Sequence, residues 1–141
     1  MRRDISIHDV AKDVLRAEIL YMIQYFRELG HEQYEVVFGW HWGMDYPPEA
    51  PWKTLHFPLA ELEAEIQKPE DVGLGEFGGD DVTIRFPPLD AEFCFCHHKR
   101  MHLKFSPPSQ VAEDFLKRWT LAGSSPWDRE CTPAELGLKG D

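Results

Sequence analysis

The chain has 141 residues, 43% of them hydrophobic and 13% aromatic, a composition typical of a folded globular protein rather than a disordered one. Its formal net charge is −10, from 25 acidic residues against 15 lysines and arginines, which argues against nucleic acid or an anionic membrane as a partner. The longest apolar run, Ile19 to Ile23, is far shorter than the ~20 residues that span a bilayer, and no apolar signal core follows Met1.

The length predicts a single domain over residues 1–141. Three cysteines, an odd number, indicate a reducing compartment, so we expect a cytoplasmic protein. The sequence contains no phosphate-binding glycine loop, no H-E-x-x-H, no G-x-S-x-G and no C-x-x-C motif. We therefore predict no cofactor and no catalytic residue.

The N-terminal third predicts a long helix from Ser6 to Leu29 that Gly30 ends. Ser6 stands at an N-cap position, with a capping-box Asp9 three residues later. The expected apolar ridges are Val10, Val14, Ala17, Tyr21 and Tyr25, and beside them Ala11, Leu15, Met22 and Phe26. Leu20 and Ile23 fall on the polar side, where the tail or a loop covers them, or where they form a homodimer contact.

The middle of the chain predicts two strands and a short acidic helix. The strands are residues 34–42 and 52–57, joined by a proline-rich loop, and the helix is residues 59–67. Residues 68–80 contain Pro69 and four glycines and therefore predict a mobile acidic loop.

Residues 82–105 predict a three-stranded antiparallel meander with strands 82–86, 91–97 and 101–105. The first turn pairs Phe86 with Ala91. A three-residue second loop, residues 98–100, pairs Phe93 with Phe105 and Phe95 with Leu103, and it collects the large apolar side chains on one face.

A last helix follows, capped by Ser106 with Pro107 in its first turn and ended by Gly123, and residues 124–141 form a C-terminal tail. The predicted order is α-β-β-α-β-β-β-α. We therefore expect an α+β fold, a mostly antiparallel sheet of about five strands with two long helices on one face.

Cysteines and histidines of the meander form a weak candidate zinc site: Cys94, Cys96, His98 and His102. In the predicted register Cys96 lies opposite His102. Side chains two residues apart on a flat strand diverge from a common metal ion, so we favour ordinary strand residues at these positions.

An aromatic cluster, Trp40 to Tyr46, is the second concentration of unusual residues. It fits core and loop residues, a protein-binding surface or a small-molecule pocket. Within it, His41 and Asp45 form a candidate acid–base pair, but no nucleophile is placed beside them. A small-molecule-binding protein or enzyme that uses this region is the alternative function.

Acidic residues are concentrated between residues 61 and 81, where eight acids stand against Lys68 alone. They fit either a solvated helix face and loop or a surface that steers a basic protein partner. The residues expected to bind that partner are Trp42, Asp45, Tyr46, Glu70, Asp71, Glu76, Phe77 and Asp80.

These features together resemble the small, acidic α+β immunity proteins that neutralise bacterial polymorphic toxins. The likeness rests on chain length, concentrated acidity, aromatic residues expected to be exposed, and a meander followed by a helix that ends near Trp119. The resemblance implies a non-catalytic inhibitor of a basic toxin and assigns no individual residue.

Overall fold

Seven strands form one antiparallel sheet in the computed structural model, which describes residues 2–38, 54–71, 73, 81–96 and 99–131. They are β1 (Arg3–Ile7), β2 (Gln33–Phe38), β3 (Leu55–Pro58), β4 (Val82–Phe86), β5 (Ala91–Cys96), β6 (Arg100–Phe105) and β7 (Trp127–Glu130). Their order across the sheet is β3-β2-β4-β5-β6-β1-β7, and each neighbouring pair is antiparallel.

Three helices pack on one face of this sheet in the described part of the chain: α1 (Lys12–Glu28), α2 (Leu62–Asp71) and α3 (Gln110–Leu121). The middle helix is α1, which contacts α2 through Arg16 and Gln67 and contacts α3 through Tyr25 and Asp114. The predicted α+β class and the antiparallel sheet are confirmed. The sheet has seven strands instead of about five because a strand was missed at each end of the predicted order.

The meander forms as predicted on its first hairpin, where Phe86 pairs with Ala91. The second hairpin is different: Phe93 pairs with Leu103 and Phe95 with Met101. The loop still has three residues but lies one position earlier, with Lys99 at φ 59° in the left-handed conformation that ends such loops. Sliding the pairing by two residues keeps every side chain on its face, so alternation alone could not separate the two registers.

The first strand replaces the predicted start of the long helix. Ile5 and Ile7 enter the core, Asp4 and Ser6 face the other side of the sheet, and α1 begins only at Lys12. The predicted Ser6 cap is therefore wrong. Asp9 at φ 54° turns the chain between strand and helix, a conformation that aspartate tolerates better than most residues.

The buried stripe of α1 is rotated from the predicted ridge. It consists of Leu15, Glu18, Ile19, Met22 and Phe26, whereas Val14 is 45% exposed. Tyr21 and Tyr25 lie at the boundary with α3, where the Tyr25 hydroxyl reaches Asp114. Polar hydroxyls favour this half-buried position over the centre of the core. The predicted end of α1 is confirmed by Gly30, at φ 84°.

The other two helices also differ from prediction at their ends. After a short 3₁₀ turn, Leu59–Glu61, α2 continues through a buried Pro69 to Asp71 instead of ending at Gln67. The cap of α3 is Ser109, whose hydroxyl accepts from the Ala112 amide at 3.1 Å, and not Ser106. Gly123, at φ 89°, follows α3 as expected.

The segment expected to be a tail contains the edge strand β7. It pairs with β1, and the Cys131 amide donates to the Arg2 carbonyl at 3.0 Å. All four residues of β7 are exposed. Residues 132–141 lie outside the described part.

Tyr34 has a buried hydroxyl in the core, and its removal tests whether that hydroxyl has a hydrogen-bond partner. Its ring is 2% exposed, and its hydroxyl has no hydrogen-bond partner among the described residues. Burial and the nearby carboxylates of Glu65 and Glu61 raise the pKa of this hydroxyl. Because a buried, unpaired hydroxyl costs free energy, we expect Tyr34→Phe to leave the free energy of unfolding unchanged or to raise it by up to about 1 kcal/mol in urea unfolding.

The matched control is Tyr25→Phe, which removes a hydroxyl that donates to Asp114 at 2.6 Å. This variant should lose about 1 kcal/mol. An equal loss in the two variants would show that the Tyr34 hydroxyl has a partner in the folded protein.

Candidate functional site

Most of the residues expected to bind a partner lie outside the described residues. These are Trp42, Asp45, Tyr46, Glu76, Phe77 and Asp80, and the same holds for the candidate ligand His98 and the whole Trp40–Tyr46 cluster. The structure therefore tests neither the aromatic pocket nor the acid–base pair of His41 and Asp45. Glu70 and Asp71 are described, and both lie at the end of α2.

Glu70 connects two helices. Its carboxylate forms an ion pair with Arg16, lies 3.1 Å from the Lys12 amine and accepts from the Gln67 amide at 3.1 Å. Its side chain is only 15% exposed. Glu70 thus holds α2 against α1, and it is poorly placed to meet a partner.

Asp71 is different, because it is exposed and accepts one hydrogen bond, from Gln67 at 2.8 Å. Glu61 and Glu63 are exposed at the start of the same helical segment. Glu65, by contrast, is buried and pairs with Lys68 at 2.5 Å. The exposed acidic surface of this segment therefore consists of Glu61, in the 3₁₀ turn, and of Glu63 and Asp71 in α2.

An apolar groove of about 170 Å³ lies between α1 and α2, beside this acidic surface. Its lining is Arg16, Ile19, Leu20, Glu63 and Ile66. Leu20 is 53% exposed, whereas Ile23 packs partly against the core. Of the two residues expected at a homodimer contact, Leu20 is the more available, and that contact stays a prediction.

A larger groove lies on the other side of α1, against α3. It contains two adjoining cavities of about 550 and 610 Å³, and Tyr25, Glu28 and Asp114 line both. The first cavity also meets Leu29, and the second meets Leu121, with exposures of 51% and 78%. Acidic, aromatic and exposed apolar side chains therefore meet along one groove.

Tyrosine rings form the wall of this groove. Tyr21 and Tyr25 stand one helical turn apart, with ring centroids 5.9 Å from each other. The Arg118 guanidinium lies 3.8 Å from the Tyr21 ring centroid and donates to Glu18 at 3.0 Å. Burial, with the hydrogen bond to Asp114, raises the pKa of Tyr25, so its hydroxyl stays protonated and donates.

On the opposite face of the sheet, a polar network connects β1, β6 and β7. The Asp4 carboxylate is fully buried, accepts from Arg129 at 2.9 Å and lies 3.1 Å from His102 Nδ1. Ser6 Oγ and His8 Nε2 are 3.1 Å apart, and the His8 ring lies 4.4 Å from that of Trp127.

This network contains acid–base pairs, but Ser6 is only 5% exposed, which keeps a substrate away from its hydroxyl. Burial lowers the pKa of His8, and the nearby charges of Arg100 and His102 lower it further. His8 is therefore neutral at neutral pH. The arrangement attaches the edge strand β7 to the sheet.

The observed register changes which residues lie opposite the two cysteines of the candidate zinc site. Cys94 lies opposite His102, and Cys96 lies opposite Arg100 instead of His102 as predicted. Burial raises the pKa of the Cys94 thiol to about 11, so it is protonated and a weak metal ligand. His102 directs Nδ1 at Asp4. Among the described residues no three histidine, cysteine or acidic side chains are grouped to hold a metal ion.

No protein-family model matches the sequence. No curated protein matches it, and no solved structure matches the fold. None of the helices in the described part of the chain is long and apolar enough to cross a membrane.

Sequence reasoning missed both the α1–α3 groove and the Asp4 network. Their members come from distant segments: Tyr25 and Asp114 are 89 residues apart, and Asp4 and Arg129 are 125 apart. The available signals were the tyrosines at positions 21 and 25, four residues apart, and the alternation of Asp4, Ser6 and His8 with isoleucines.

Proposed function

We propose that this chain is a non-catalytic binding protein that inhibits a basic protein partner, as an immunity protein inhibits its toxin. The observation that carries the proposal is the exposed acidic surface of the 3₁₀ turn and α2, which consists of Glu61, Glu63 and Asp71. Of these, Glu63 also lines the groove that contains Leu20.

Charge and exposure support a binding role for this surface. Residues 59–71 contain five carboxylates and one lysine. Cations of the chain itself form ion pairs with Glu65 and Glu70, whereas no cation among the described residues pairs with the three exposed acids. A field of one sign raises the association rate with an oppositely charged partner, and an exposed apolar side chain beside it supplies contact area after the encounter.

An inhibitor needs a complementary surface and no reaction chemistry, which agrees with the buried Ser6 and the protonated Cys94 thiol. We expect such an inhibitor to act in the cytoplasm, where cysteine thiols remain reduced.

The test of this function begins with capture of partners from the native host at low salt. The captured protein is then identified, purified and assayed for its own activity or toxicity with and without the chain. We expect a basic protein that is inhibited at a one-to-one ratio. A partner without excess positive charge, or one whose activity is unaffected, would refute the proposal.

Asp71→Lys tests the acidic surface itself. This variant reverses an exposed charge at the carboxyl end of α2, where a cation suits the helix dipole, so the fold should be retained. We expect the association rate with the purified basic partner to fall about three- to tenfold at low salt and the dissociation rate to change little. Stopped-flow mixing at several salt concentrations measures both rates.

Glu130→Lys is the matched control, because it makes the same charge change at an exposed position of the edge strand β7. It should alter the association rate much less. Equal effects in the two variants would mean that only net charge matters and that α2 is not the steering surface.

A further inference from the structure

We infer that the α1–α3 groove binds an arginine side chain of the basic partner, with the guanidinium held at Tyr25 between Glu28 and Asp114. This inference rests on the proposed function and names the chemical group that the groove takes.

The lining of the 550 Å³ cavity favours a cation. It includes the carboxylates Glu28, Asp90 and Asp114, and no lysine or arginine is among its lining residues, whereas Lys117 and Arg118 line the adjoining 610 Å³ cavity. Burial opposes the ionisation of Asp90, but hydrogen bonds from Ser106 and Arg2 outweigh it and lower its pKa. Arg2, 2.5 Å away, also neutralises Asp90.

Glu28 and Asp114 are not neutralised in this way. In the described part of the chain Glu28 accepts from the Gln24 amide at 3.4 Å, and Asp114 accepts from Tyr25 and from the Gln110 amide at 2.9 Å. All of these donors are uncharged. Two carboxylates therefore line the middle of the groove without a cationic partner among the described residues.

One helical turn away, the protein itself holds a guanidinium between a tyrosine ring and a carboxylate. There the Arg118 guanidinium stacks 3.8 Å from the Tyr21 ring centroid and donates to the Glu18 carboxylate. Tyr25 stands one turn further along α1, and Glu28 and Asp114 line the same groove beside it. A guanidinium supplied by another protein would make the same two kinds of contact there, with a tyrosine ring and with a carboxylate.

Arginine fits this position better than lysine. Its planar guanidinium stacks on aromatic rings and donates two parallel hydrogen bonds to a carboxylate, whereas the lysine ammonium is a compact, strongly hydrated charge. The exposed Leu29 and Leu121 stand along the same groove and would contact apolar neighbours of that arginine.

N-acetyl-arginine amide is the probe, titrated into the isotope-labelled full chain and followed by NMR. We expect shifts confined to resonances of the α1–α3 groove, including Tyr25, Glu28 and Asp114. N-acetyl-lysine amide should bind severalfold more weakly. Glu28→Gln and Asp114→Asn should each weaken arginine binding about tenfold, the scale of one lost charge-assisted hydrogen bond.

Both substitutions keep a hydrogen-bond acceptor, so Tyr25 retains a partner in Asp114→Asn, and the spectrum of each free variant reports its fold. If one variant unfolds, arginine binding by the other variant tests the inference. Glu130→Gln, at an exposed position of the edge strand β7, is the control and should leave arginine binding unchanged. Shifts scattered over the surface, equal binding of arginine and lysine, or binding unaffected by both groove variants would overturn the inference.

The purified partner separates this inference from the proposed function. If the partner is basic and inhibited but its affinity is unchanged by Glu28→Gln and by Asp114→Asn, the groove assignment is wrong and the inhibitor function stands. If no basic partner is inhibited but arginine still binds in the groove, the inhibitor function is wrong and the groove's affinity for guanidinium stands.

Discussion

Phe95→Ala is expected to lower the free energy of unfolding by about 3–5 kcal/mol, the range found when a buried phenylalanine is truncated. Phe95 is fully buried at the centre of the sheet, between Val82 of β4 and Met101 of β6. Strands on both sides fix the backbone, so the space left by the ring cannot close easily. Guanidinium unfolding followed by circular dichroism measures the loss.

Cys96→Ser, one residue further along β5, is the control. Cys96 points to the opposite face of the sheet, is partly exposed and stands opposite Arg100. Its substitution should cost less than about 1 kcal/mol, as for most positions outside the core. Similar losses in the two variants would mean that both faces of β5 are buried in the folded protein.

Alternation predicted which side chains of the meander enter the core, because strand geometry alone places every second residue on one face. Phe93 and Phe95 are both fully buried, as expected. The pairing partner of each was predicted only for the first hairpin. The second register depended on which residue adopts the left-handed conformation, and the sequence offers no glycine at Lys99 to mark it.

The two ends of the chain were misread for different reasons. In β1, Ser6 and Asp9 form a capping pattern that competes with a strand of only five residues. In β7, Asp128, Arg129 and Glu130 are charged and exposed, so the strand has no apolar alternation. β1 pairs with β6 and β7, and β7 pairs with β1, but single-sequence patterns do not report pairing across about a hundred residues.

Only those parts of the candidate site that lie within one short stretch of sequence could be predicted. The acidity of α2 is visible in a short window of sequence, although the ion pairs that remove Glu70 from the exposed surface are not. The groove needs α1 and α3 side by side. Tyr21 and Tyr25 were expected on one ridge of the helix, and packing on the sheet then turned that ridge towards α3.

The Asp4 network contributes to the stability of the fold in a different way from the apolar core. Its carboxylate has 0% exposure and bridges β6 and β7 through His102 and Arg129. A buried charge is stable only while its partners satisfy it, and removal of the charge leaves those partners without their acceptor. Arg129 is 45% exposed and His102 is 18% exposed, so water can replace part of what is lost.

Asp4→Ala should therefore lower the free energy of unfolding by about 2–4 kcal/mol, somewhat below the full cost of breaking a buried ion pair. Denaturant unfolding measures this loss, and hydrogen exchange of the β7 amides should accelerate because the strand loses its buried link to β1.

Asp128→Ala is the matched control: Asp128 also connects β1 and β7, through Arg3 at 2.7 Å, but its side chain is 47% exposed. That substitution should cost less than about 1 kcal/mol, as for other exposed ion pairs. If the two variants lose equal stability, burial of Asp4 contributes nothing beyond an ordinary surface pair, and the edge strand is held by its backbone hydrogen bonds alone.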